Sequence, residues 1–69
     1  MSVYKFIELV GTSPDSWEKA AAAAVAAAGE TVRDLRVAEV MKLDMQIEEG
    51  KIALFRARVS LSFKVEKFS

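Results

Sequence analysis

Ala20 to Ala28 is eight alanines and one valine, and Gly29 follows, so no polar side chain stands between Lys19 and Glu30. A helix that is apolar on every face is normally covered on every face. One small sheet covers only one side of it. The chain has little else to offer, because 69 residues make a single domain, 1–69, and a domain of this size buries only about 60% of the surface its unfolded chain exposes. Below roughly 70–80 residues, disulfides, a metal or association with other chains usually supply the missing stability. With no cysteine and no histidine, disulfides and thiolate- or imidazole-bound zinc are excluded, leaving oxygen-ligated ions such as calcium or magnesium. Association is the remaining route, and the composition predicts an oligomer.

Around this run the local signals are orderly. Val3 to Val10 is rich in β-branched and aromatic residues and stops at Gly11, which predicts a first strand. Ser13 is placed as the N-cap of the helix and Pro14 as its first residue, where a missing N–H costs nothing, with Asp15 and Glu18 favoured by the helix dipole. Trp17, Ala21, Ala24, Val25, Ala28 and Val32 follow helical spacing, so the helix is expected to pass Gly29 and end near Thr31. A second strand is expected from Arg36 or Val37 to about Glu48, with Met41, Leu43, Met45 and Ile47 on one face and Lys42, Asp44, Gln46 and Glu48 on the other. Val37, Glu39 and Val40 break that alternation, which predicts a bulge.

Glu48-Glu49-Gly50-Lys51 reads as a turn, and the third strand runs from about Lys51 to Glu66. On it Phe55, Ala57, Val59, Leu61, Phe63 and Val65 share one face, opposite Arg56, Arg58, Ser60, Ser62, Lys64 and Glu66. A right-handed crossover makes strands one and two parallel, and the hairpin places strand three between them. The expected fold is α+β, a β-α-β-β chain whose three-stranded antiparallel sheet, order 1-3-2, packs on one helix. An 18-residue helix spans about 27 Å and strands of 12 or more residues roughly 40 Å, so the hairpin overhangs the helix. Met45, Ile47 and Phe55 are then left with an apolar surface for neighbouring copies.

Ten acids balance ten bases, and a neutral chain does not favour a partner held by phosphate neutralisation, so no nucleic acid is expected. No window reaches the 18 or so apolar residues of a membrane span, and Met1-Ser2-Val3-Tyr4-Lys5 starts no signal peptide, which predicts a cytoplasmic protein with no membrane partner. Without histidine, cysteine or a nucleophile beside a recognisable base, no enzyme is expected. Trp17, in the first helical turn, is expected to pack on the sheet, and Phe68 has no assigned role.

The run Val3-Tyr4-Lys5-Phe6-Ile7-Glu8-Leu9-Val10-Gly11-Thr12-Ser13-Pro14 resembles the start of the dodecins. The Ala-rich helix, Thr31, the segment Ala38-Glu39-Val40 and the closing Ser62-Phe63-Lys64-Val65-Glu66 are similar to the same family, so the resemblance covers residues 2 to 66. It implies a hollow homododecamer that holds a flavin, FMN or riboflavin, in pairs between subunits, stacked on a tryptophan, for storage rather than catalysis. The tryptophan position is occupied here by Val37, which has no π face. Aromatic stacking contributes on the order of 1–3 kcal/mol, so its loss weakens each flavin site roughly tenfold or more. A glutamine that can bond the flavin ring edge aligns with Arg56, which donates but cannot accept.

The residues assigned to an inter-subunit ligand site are Arg36, Val37, Glu39, Lys42, Gln46, Arg56 and Lys64. Arg36, Arg56 and Arg58, with Lys42 and Lys64, have the donors to grip a phosphate; the alternative is pairing with Glu39, Asp44, Glu48 and Glu66 across strands. Glu8 and Asp44, with Glu48 and Glu49, are the candidate hard-cation ligands, although they form no recognised spaced loop. A structural or calcium-binding cage without flavin is therefore the alternative to flavin storage.

Overall fold

A computed structural model of the chain describes residues 1–65. Four elements follow in order: β1 (Val3–Ser13), α1 (Trp17–Thr31), β2 (Leu35–Glu48) and β3 (Lys51–Val65). They form one three-stranded sheet, β1-β3-β2, in which β3 runs antiparallel to both neighbours. The expected α+β, β-α-β-β architecture with strand order 1-3-2 is the one observed. Glu66, the expected end of the third strand, and Phe68 lie outside the described residues.

The start of the helix differs from the expectation. Ser13 is still in β1, opposite Phe55, and its hydroxyl accepts from the Asp15 backbone N–H at 3.0 Å. The helix is capped instead by Ser16, which has extended backbone and accepts from the Lys19 N–H at 3.0 Å. The segment offers two serines, and the sheet ladder claims the first, so Pro14 falls between the elements rather than at the first helical position. The expected end at Thr31 holds.

The core is made of small residues. Ala20, Ala24 and Ala28 at helical spacing meet Ala57, Val59 and Leu61 of β3, with Ile7 and Leu9 of β1 packed beside them. The contact face is thus rotated from the expected one: Ala20 is in it, and Val25 is exposed. Uniform alanine hides the helical phase, and the closest approach decides it. That approach is at Gly11, where a Cβ would overlap the Ala20 carbonyl oxygen, so only a residue without a side chain lets the helix backbone lie this near β1.

Helix α1 lies over β1 and β3 and barely touches β2. Leu43, Met45 and Ile47 of β2 are exposed, as is Ile52 across the hairpin. The hairpin does overhang, along a molecule 56 Å in its longest extent. Its turn has positive φ at both central residues, Glu49 (51°) and Gly50 (75°), the type I′ geometry that suits the strand twist. Register shifts between Leu35 and Val37 and between Val40 and Lys42 are the bulging expected from the broken alternation. Trp17 reaches the sheet as expected, its ring edge-on to Phe55 at 5.1 Å and its Nε1–H donating to the Asp44 carbonyl at 3.0 Å.

Candidate functional site

Residues directly opposite in antiparallel strands point to the same face, so the register fixes what lies on the sheet surface away from the helix. Ala57, Val59 and Leu61 face α1, and the residues between them face the other way. Four rows cross this open face from β1 through β3 to β2: Phe6–Ser62–Val37, Glu8–Ser60–Glu39, Val10–Arg58–Lys42 and Thr12–Arg56–Asp44. Tyr4–Lys64 precedes them at one end, and Gln46, opposite Leu54, follows at the other. The candidate residues Val37, Glu39, Lys42, Gln46, Arg56, Lys64, Glu8 and Asp44 therefore share one surface, although they divide into separate groups along it.

At one end is a depression of ≈ 450 Å³ lined by Tyr4, Phe6, Arg36, Val37 and Ser62. Ser62 is its buried floor, and its hydroxyl donates to the Val37 carbonyl at 3.5 Å. Arg36 falls in the register shift before Val37 and brings the one guanidinium of the lining. Tyr4 and Phe6 were not among the residues expected from the sequence. In Val3 to Val10 both faces mix apolar and charged residues, so alternation alone gives no inside and outside; the partner register supplies it.

Further along, Arg56 and Asp44 form a two-point pair, Nε to Oδ1 at 2.7 Å and Nη2 to Oδ2 at 3.1 Å. The Arg56 bonds hold the Asp44 carboxyl below its ordinary pKa, against an opposing desolvation and with further help from the Arg56, Arg58 and Lys42 charges. The same pair raises Arg56. Of the two readings open for these cations, pairing across strands describes Arg56 within the chain. Gln46 donates to Glu48 two residues along β2 at 3.0 Å.

Lys64 lines a second depression, of ≈ 580 Å³, at the end of the helix, with Lys5 and Arg33. Glu8 and Asp44 are not neighbours within one chain. Their rows are centred on Ser60 and Arg56, four residues apart on β3, or about 13 Å. Among the described residues, no three Asp or Glu side chains gather where one ion could be held, and no helix is long and apolar enough to cross a membrane.

The family model described as Dodecin matches residues 3–66. Over 65 residues the chain is 48% identical to the calcium dodecin of Mycobacterium tuberculosis, covering 94% of this chain and 92% of that protein. A crystal structure of that calcium dodecin, described as calcium-chelating with a novel calcium-binding site, superimposes with a TM-score of 0.83, covering 99% of this chain and 97% of the other. The dodecin of Streptomyces coelicolor, 37% identical, superimposes with a TM-score of 0.90 over 97% of this chain and 96% of the other.

Proposed function

The chain belongs to the dodecin family, and from that premise we propose that it is a non-catalytic cytoplasmic protein that assembles as a hollow homododecamer and holds a flavin, FMN or riboflavin, at its subunit junctions. The observation that carries this reading is the depression around Val37. It lies where the family resemblance expects the flavin ring, its walls are apolar and aromatic, and the Arg36 guanidinium is at hand for a phosphate. The exposed apolar residues of β2 and the uncovered side of α1 support the assembly, since a monomer rarely leaves so much apolar surface to water. Arg36, Val37, Glu39, Lys42, Gln46, Arg56 and Lys64 belong to the proposed junction site, with Arg56 oriented by Asp44.

A calcium-binding cage without flavin is the second reading, favoured by the 48% identity to a protein named calcium dodecin. Glu8 and Asp44 have the oxygen ligands a hard cation needs, and their spacing in one chain calls for carboxylates from more than one subunit. Titrating purified protein into FMN or riboflavin separates the readings. Flavin storage requires quenching of flavin fluorescence at micromolar concentrations, and a calcium response by calorimetry with no flavin quenching leaves the second reading. Twelve chains of 7.6 kDa give about 91 kDa by light scattering. Val37→Trp, which restores a π face at the expected position, should tighten flavin binding roughly tenfold or more.

A further inference from the structure

We infer that Phe6, on β1, is the stacking residue for a planar heteroaromatic ligand in the Val37 depression, replacing from the opposite wall the π face that position 37 lacks. The inference rests on the flavin reading above and adds the residue that makes it workable. Phe6, Ser62 and Val37 lie in one row across the three strands. The two outer side chains are 65% and 62% exposed, whereas Ser62 between them is 5% exposed. This makes a slot: a small buried floor between two standing apolar walls.

Neighbouring strands are about 4.8 Å apart, so the backbones carrying the walls are separated by about 9.6 Å. A flat ring between two walls needs about 7–8 Å, twice the carbon contact distance of 3.5–4.0 Å. The slot therefore fits one planar ring system on edge, with one face on the Phe6 phenyl and the other on the Val37 methyls. Phenyl stacking in an offset or edge-on arrangement is the favourable part of that contact, and valine contributes only dispersion. Tyr4, the next open-face residue of β1, extends the aromatic wall, and Arg36 stands on the Val37 side, where a phosphate tail can reach it. The Ser62 hydroxyl is directed to the Val37 carbonyl, so the floor has no unpaired donor that a ring edge must satisfy.

FMN is the probe, with fluorescence quenching as the readout and light scattering to verify that each variant keeps the wild-type particle size. Phe6→Leu keeps the apolar volume and removes the π face, and Phe6→Ala removes both. Each is expected to weaken FMN binding about ten- to hundredfold, with Phe6→Tyr within about threefold of wild type. Wild-type protein that quenches FMN and loses nothing in Phe6→Leu or Phe6→Ala overturns this assignment and leaves flavin storage standing. Wild-type protein that does not quench FMN at all overturns both.

Discussion

Strands β2 and β3 carry nearly the same alternation of apolar and polar residues, and their fates differ. On β3, Ala57, Val59 and Leu61 are buried under the helix. On β2, Leu43, Met45 and Ile47 are exposed, because α1 lies over β1 and β3 and barely touches β2. The alternation states that one face of each strand is to be kept from water, and it does not state what covers it. For β3 the cover is in the same chain. For β2 the proposed cover is a second copy.

The strongest way to break this comparison is to charge the β2 face. Leu43→Lys combined with Met45→Lys should dissolve the assembly, and light scattering would then give a mass near that of one or a few chains. An unchanged particle of about 91 kDa would mean that β2 faces water in the assembly as it does in one chain. On β3, Leu61→Ala removes a side chain 1% exposed and should cost about 2–5 kcal/mol, measured by urea unfolding at fixed protein concentration. Leu43→Ala under the same conditions then measures how much cover the proposed neighbouring copy gives, a cost near zero meaning none.

Gly11→Ala tests the close approach that selects β1 and β3 for the helix. Its Cβ meets backbone atoms of Ala20 and Ala24, which a rotamer change cannot relieve, and a loss of about 1–3 kcal/mol or more is expected in the same assay. The smallest effect belongs to Asp44→Asn. Arg56 holds the Asp44 carboxyl below its ordinary pKa, so this pair stabilises the fold above the unfolded aspartate value of about 4, and the contribution is lost as pH falls through the lowered value. The variant's thermal midpoint should differ slightly from wild type at neutral pH and converge with it in acid. A difference that grows in acid would contradict the assigned direction.

Much of this architecture was legible in the residues. The β3 alternation, the Gly50 turn, the end of the helix near Thr31 and the sheet order follow from local chemistry and the handedness of the crossover. The helix start was not, because Ser13 and Ser16 are both competent caps and only the pairing of Ser13 with Phe55 decides between them. The helix phase was not either, since alanine on every side has no preferred face until Gly11 fixes the approach. For the candidate site, Val37 stood out through the family resemblance and Arg56 through its polar-face position. Tyr4 and Phe6 stayed hidden because Val3 to Val10 mixes apolar and charged residues on both faces. Their neighbours across the sheet are more than fifty residues away in sequence.

That separation bears on how the fold is reached. Val3 pairs with Val65 and Ser13 with Phe55, so the strand made first has no partner in the sheet until the last one emerges. Local hairpin formation between β2 and β3 takes about 1–10 μs, whereas joining β1 to it requires closing a loop of more than forty residues. During synthesis β1 and the alanine helix must wait, exposed, for β3 to arrive. The hairpin is the natural template on which they are then ordered, and the slower stage of folding within one chain is the capture of the first strand rather than the closing of the turn.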